Sequence, residues 1–174
     1  MPVEAPFETY GPLVPIASTD AFGQITGVRE APRVVRNHAA WRQVLSPAGF
    51  RSARLGATEL PYSGRYDDFY EPGVYRCAGC ATPLFASADK YDSNTGWPSF
   101  TRPVAAANAA VSWDFSWGLR RRAVSCARCG SHLGHVFNDG PLPARRRYCV
   151  NSGSLQFLPA VREPGLAPGG PASS

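Results

Sequence analysis

Cys126-Ala127-Arg128-Cys129-Gly130 repeats the pattern of Cys77-Ala78-Gly79-Cys80 further up the chain. Two residues between cysteines let both sulfurs of a tight turn face one ion, and Gly79 and Gly130 tolerate the backbone angles such a turn needs. Two turns of this kind complete a tetrahedral shell. A single pair would also read as a redox dithiol, but the twinned pair points to one structural zinc ion held by Cys77, Cys80, Cys126 and Cys129. A closed shell of four thiolates leaves no position for a substrate, so this ion staples the fold and takes no part in chemistry. The chain has five cysteines. An odd number without an export signal argues against a disulfide framework and for metal binding or catalysis. Cys149 is then the only thiol free to react.

Around it the chain reads Arg147-Tyr148-Cys149-Val150-Asn151-Ser152-Gly153-Ser154-Leu155-Gln156-Phe157. As an extended segment with a period of two, this puts Arg147, Cys149 and Asn151 on one face and Tyr148 and Val150 on the other. A cation and an amide then flank a thiol. A neighbouring positive charge favours the thiolate, which is the nucleophile, so the setting is expected to lower the pKa of the sulfur. The other reading is a buried cysteine acting as a small hydrophobe.

Between the second knuckle and Cys149 runs Ser131-His132-Leu133-Gly134-His135-Val136-Phe137-Asn138-Asp139-Gly140-Pro141. In a flat strand His132 and His135 would face opposite sides, but Gly134 permits a bend that brings them together. Imidazole titrates near neutral pH, which suits acid–base work beside a thiolate. Metal ligation, or one core and one surface histidine, are the alternatives. The third dense patch is Tyr91-Asp92-Ser93-Asn94-Thr95-Gly96-Trp97-Pro98-Ser99-Phe100. Trp97 and Phe100 suit a core, while Gly96 and Pro98 also suit an indole at a loop edge, walling a pocket for a methyl group.

The 174 residues, 44% hydrophobic and 18% charged, fit one soluble globular domain. No apolar run approaches the roughly 20 residues of a membrane span. Met1-Pro2-Val3-Glu4 lacks the basic and apolar regions of a secretory signal, so a cytoplasmic location is expected. The net charge of +5 comes from arginine, clustered at Arg120-Arg121-Arg122 and Arg145-Arg146-Arg147. Such clusters can bind phosphate backbones, but no nucleic-acid motif accompanies them, and a solvated face is expected. Residues 1–36 show no sustained period and carry Pro6, Pro12, Pro15 and Pro32, which reads as an irregular N-terminal arm. A short helix is expected over Asn37–Leu45, capped by Asn37 and stopped by Ser46-Pro47 and Gly49. From Gly64 onward, short aromatic and β-branched runs predict strands at 74–77, 83–86, 97–101, 111–116, 121–125, 135–138, 148–151 and 154–158. Residues 159–174 are rich in Pro and Gly and are expected to be a disordered tail.

With these motifs in their order, residues 37–158 resemble the methionine-R-sulfoxide reductase family of the B type (SelR domain), in its zinc-containing form. The matching residues are Tyr75 to Cys80, Pro83-Leu84-Phe85, Lys90 to Ser93, Gly96 to Phe100, Cys126 to Cys129, His132 to Phe137, Asp139-Gly140-Pro141 and Arg147 to Ser152. The resemblance implies a mainly β fold of two small antiparallel sheets with a few short peripheral helices, stapled by zinc remote from the active centre. It also implies Cys149 as nucleophile, with His135 ahead of His132 as the acid beside the substrate oxygen. Arg147 and Asn151 would support the thiolate and Asp139 would orient the histidine loop. Trp97 would pack on the substrate methyl, with Phe100 beside it. The implied reaction reduces methionine-R-sulfoxide, in peptides, and leaves a sulfenic acid on Cys149. The implied partners are oxidised proteins and an external thiol such as thioredoxin, served by a monomer.

The chain departs from the family pattern at Thr95, where many members carry a second, resolving cysteine. With four cysteines committed to metal, a one-cysteine mechanism is expected. Asn94 stands where glycine is common and keeps a left-handed-compatible residue there. Ala123 stands where an acidic residue is usual, which puts a supporting ion pair in doubt. The rival reading is a non-catalytic zinc-stapled binding module, which would need the knuckles but not Cys149, His132, His135 and Asn151 together.

Overall fold

Period-two runs punctuated by Gly, Pro, Asn and Asp fold into strands in the computed structural model, which describes residues 4–161. In chain order the elements are β1 (Glu8–Thr19), β2 (Ile25–Arg36), α1 (His38–Val44), α2 (Pro47–Leu55), β3 (Gly73–Cys77), β4 (Pro83–Ala86), β5 (Lys90–Tyr91), β6 (Ser99–Phe100), β7 (Ala109–Asp114), β8 (Arg121–Cys126), β9 (His132–Phe137), β10 (Arg147–Val150) and β11 (Leu155–Pro159). A six-stranded sheet has the order β5-β6-β10-β9-β8-β7, and a three-stranded sheet the order β11-β3-β4. All pairs are antiparallel. These match the two antiparallel sheets that the resemblance implies; β1 and β2 form a third, two-stranded one.

That hairpin corrects, over residues 8–36, the reading of residues 1–36 as an irregular arm; residues 1–3 lie outside those described. Proline is excluded from central strands because it removes a ladder hydrogen bond, but a two-stranded ribbon has only edge strands. Pro12 falls in a register shift between Tyr10 and Leu13, and Pro15 and Pro32 lie in the paired register. The helix expected at Asn37 forms, with the Asn37 side chain accepting from the Ala40 N–H at 3.0 Å. Ser46-Pro47 does not only stop that helix; it starts the next. Ser46 Oγ accepts from the Gly49 N–H at 3.0 Å and Pro47 takes the first helical position, where its missing N–H costs nothing. The expected tail begins inside β11, which runs to Pro159, and its residues 162–174 lie outside those described. Among the described residues, no helix is long and apolar enough to cross a membrane.

The core lies between the two larger sheets. Tyr75 and Phe85 come from the three-stranded sheet and Phe100 and Tyr148 from the six-stranded one, all buried. Phe85 stacks on Phe100 at 4.4 Å and Tyr75 meets Phe100 edge-on at 5.1 Å, the offset and T-shaped contacts aromatic rings prefer. Phe100 is therefore core, which corrects its assignment to substrate binding. Neighbouring residues of a strand point to opposite faces. Ser99 is opposite Cys149 and Phe100 is opposite Tyr148, so Phe100 points away from the face that carries the thiol.

Candidate active site

The register of the six-stranded sheet collects the chemistry on one face. Cys149 in β10 is opposite His135 in β9 and Ser99 in β6, while His135 is opposite Ala123 in β8. Directly opposed residues share a face. Within β10 burial alternates, with Tyr148 and Val150 in the core and Arg147 and Cys149 partly open, as the period-two pattern predicts. Trp97, Phe137, His135, Arg147, Cys149 and Asn151 line a cleft of about 180 Å³ with Thr58, Thr95, Arg121 and their neighbours.

His132 and His135 do come together, their ring centroids 5.4 Å apart. The cause is a bulge. Val124 is opposite Gly134 but Ser125 is opposite His132, which leaves Leu133 as an extra residue in β9 and changes the side on which His132 emerges. A Cβ on Gly134 would lie 1.9 Å from the Cys149 carbonyl oxygen, so only glycine lets the two strands approach here. Asn151 secures the bulge. Its N–H and its Nδ2 both donate to the Leu133 carbonyl, at 2.9 and 3.2 Å, while its Oδ1 accepts from the Glu59 N–H at 3.1 Å. Its carbonyl oxygen and one of its amide donors are thereby occupied in holding backbone, and it lines the cleft beside the sulfur.

Asp139 makes a two-pronged ion pair with Arg147, Nε to Oδ1 at 2.9 Å and Nη2 to Oδ2 at 3.0 Å. It thus fixes the cation beside the thiol, and those bonds hold its carboxyl below the usual carboxylate value. Arg147 also lies over the Phe137 ring at 4.5 Å. Burial pushes the Cys149 thiol up to about 11, with the Arg147 charge pulling it only partway back. The expectation of a lowered pKa is corrected: desolvation of a thiolate outweighs one cation already paired to a carboxylate. Burial likewise lowers His132.

Two residues of the site carry no mark of their own in the sequence. Asp114, at the end of β7, has its Oδ2 2.7 Å from His135 Nε2 and 3.5 Å from Arg121. The His135 and Ser116 hydrogen bonds hold its carboxyl well below the usual range. A carboxylate only accepts, so Nε2 carries the proton and Nδ1 is the position that exchanges one. Asp114 thereby supplies the acidic partner that Ala123 lacks, from one strand further out. The missing acid at 123 is the one signal in the chain, and only strand register reveals its replacement. Glu59 is the other. Its carboxylate accepts from the Ser152 N–H at 2.7 Å and its carbonyl from Trp97 Nε1 at 3.0 Å, which orients the indole at the cleft wall. Glu59 sits in an irregular loop with no pattern to mark it.

The four knuckle sulfurs lie within 4.8 Å of one another. Cys77 and Cys129 are 3.6 Å apart, and Cys80 and Cys126 are 3.5 Å apart. A tetrahedron with metal–sulfur bonds of about 2.3 Å has edges of roughly 3.8 Å, so the donor set fits one ion. Thr82 and Ser131 hydroxyls stand 3.2 Å from Cys80 and Cys129. Of the arginine clusters, Arg121, Arg122 and Arg147 bond to Ser116, Asn138 and Asp139, and Arg120 covers Trp113.

Comparison with known proteins agrees with this arrangement. The profile of the SelR domain matches residues 45–159. A peptide methionine sulfoxide reductase MsrB of Azotobacter vinelandii is 53% identical over 119 residues, 68% of this chain and 90% of that protein. The protein of the same description from Pseudomonas aeruginosa PAO1 is 49% identical over 120 residues, 69% of this chain and 91% of its own length. Another, from Bradyrhizobium diazoefficiens, is 46% identical over 127 residues, 73% and 91% of the two chains. The chain belongs to the SelR domain family.

Proposed function

We propose that the protein reduces methionine-R-sulfoxide in oxidised peptides and proteins to methionine, through a sulfenic acid on Cys149. The observation that carries this is the single uncommitted thiol facing His135 in a cleft walled by Trp97 and Phe137. The apolar rings accept the substrate methyl, and the sulfoxide oxygen lies toward the imidazole. Cys149 attacks the sulfoxide sulfur, the oxygen passes to the cysteine sulfur, and the thioether leaves. One proton is needed on that oxygen and one leaves the thiol. His135, held by Asp114, carries it between them, so a thiol kept protonated by burial matches the stoichiometry of the step. His132, lowered by burial, serves as the neutral neighbour. Only the R epimer of the sulfoxide is turned over, because sulfoxide repair uses one enzyme per epimer.

Two equivalents of an external thiol, from thioredoxin or a similar reductant, then convert the sulfenic acid to thiol, with a disulfide and water as products. Thr95 offers no sulfur at the cleft, and Cys77, Cys80, Cys126 and Cys129 would hold one structural zinc ion that staples the fold and leaves none of the four sulfurs for the cycle. The protein acts as a monomer in the cytoplasm, where reducing thiols are supplied.

The test presents separate R and S sulfoxide epimers of an N-blocked methionine with dithiothreitol, beside a Cys149→Ser control. Loss of the R epimer alone, abolished in the control, is expected; equal loss of both epimers would sink the proposal. Mass spectrometry of the oxidised protein tests the one-cysteine cycle, because an intramolecular Cys149 disulfide would contradict it.

A further inference from the structure

The β1–β2 hairpin precedes the segment matched by the SelR profile, and what it grips is the pair of cysteine knuckles. The Val34 N–H donates to the Arg128 carbonyl at 3.0 Å, and Arg128 Nε donates back to the Pro32 carbonyl at 3.2 Å; Arg128 lies inside the second knuckle. At the end of the same strand, Arg36 Nη1 donates to the Gly79 carbonyl, inside the first knuckle, at 2.7 Å. One strand therefore holds both turns.

The other strand supports it twice. Glu8 pairs with Arg36 Nε and fixes the guanidinium. Ala17 exchanges two hydrogen bonds with the buried Asn108 side chain, at 2.8 and 3.0 Å, and the Asn108 carbonyl accepts from the Ala127 N–H of the second knuckle at 3.0 Å. Behind the first knuckle, the fully buried Trp41 ring has the guanidinium groups of Arg36 and Arg54 over it at 4.8 and 4.3 Å. Arg54 Nη1 donates to the Cys129 carbonyl at 3.0 Å.

Four thiolates around a divalent cation leave a net double negative charge, and burying charge is costly unless it is offset. Arg36 and Arg54 bring two cations to the knuckle backbone, and Arg128 ties the second knuckle to the hairpin through the Pro32 carbonyl. Outer partners of this kind orient metal ligands and strengthen metal binding. We propose that the β1–β2 hairpin is a clamp on the metal site, closing both knuckles and slowing release of the ion. This rests on the reading of Cys77, Cys80, Cys126 and Cys129 as a zinc shell.

The experiment uses the full chain loaded with zinc. It measures zinc content, then the rate of release to an excess of a chromophoric chelator at neutral pH, with circular dichroism to establish that each variant is folded. Arg36→Gln is expected to speed release about tenfold, within the range for removing an outer partner of a metal site. Glu8→Gln, which leaves the cation but frees it, speeds release by a smaller factor. Arg29→Gln, an exposed charge on the same strand, leaves the rate unchanged. Equal rates for Arg36→Gln and Arg29→Gln in folded, loaded protein would overturn the clamp, and should Arg36→Gln not fold, equality of Glu8→Gln with Arg29→Gln decides in its place. A native chain that takes up no zinc would overturn the metal reading itself, and the clamp with it.

Discussion

At the knuckles, sulfur meets sulfur: four thiols converge within 4.8 Å, and hydroxyls and arginines close the space around them. In the cleft, one sulfur meets an imidazole, an arginine and two aromatic rings. The side chain is the same in both places. What differs is whether its partners saturate it. A shell of four leaves no open position, so those sulfurs hold structure, whereas Cys149 keeps one side toward a cleft sized for a small group. Both sites are substantially buried, and burial alone therefore does not separate a structural thiol from a reactive one.

Exchange of the two roles would break this contrast most sharply. Cys149→Ser is expected to lose sulfoxide reduction entirely while retaining bound metal and thermal stability. Cys126→Ser is expected to lose the metal and about 4 kcal/mol or more of stability, a midpoint drop of roughly 8–16 °C in thermal melting. A Cys126→Ser chain that melts like the native one would remove the structural half of the comparison.

The second largest effect concerns the Cys149 thiol. A folded-state pKa of about 11 means that Cys149 is protonated at neutral pH, and the thiolate fraction rises with pH until the pKa is passed. Alkylation of Cys149 by iodoacetamide in the metal-loaded protein is expected to accelerate about a thousandfold from pH 7 to 10, tenfold per unit. A plateau below pH 8 would show that Arg147 outweighs burial after all.

Phe100→Ala separates the core from the cleft. It should cost about 3–5 kcal/mol of unfolding free energy in denaturant titrations and leave KM for the sulfoxide unchanged. A raised KM at unchanged stability would return Phe100 to the substrate site.

The smallest effect sharpens the acid. Asp114→Asn should lower kcat about tenfold, a part of the 10²–10⁴ that general acid–base catalysis supplies, with KM little changed and the pH profile of kcat displaced. Ala123→Glu in that background should restore activity in part, since residue 123 is directly opposite His135. A purely structural role for Asp114 predicts neither the displaced profile nor the rescue.

Much of the site is legible in the amino-acid sequence. The twinned Cys-x-x-Cys turns, the alternation of Arg147 and Cys149 against Tyr148 and Val150, and the Asn37 cap are short-range patterns, and short-range backbone geometry enforces them. Asn94, left-handed-compatible by residue type, has φ of 57°. The N-terminal hairpin is illegible because its prolines argue against strands in general and not against a ribbon made only of edges. Asp114 and Glu59 are illegible because their partners lie in strands and loops far away along the chain, and no local period points to them.

The sequence by itself determined which atoms could do chemistry: four cysteines in two turns, one cysteine apart, two histidines and a tryptophan, at spacings set by the dimensions of turns and strands. Only the tertiary structure decided how those atoms are tuned. A bulge at Leu133 turned His132 onto the face of His135, strand register brought Asp114 to the imidazole, and desolvation raised the thiol that a neighbouring arginine alone would lower. The reason is physical: spacing is a property of the covalent chain, whereas register, burial and charge pairing depend on residues far apart in sequence.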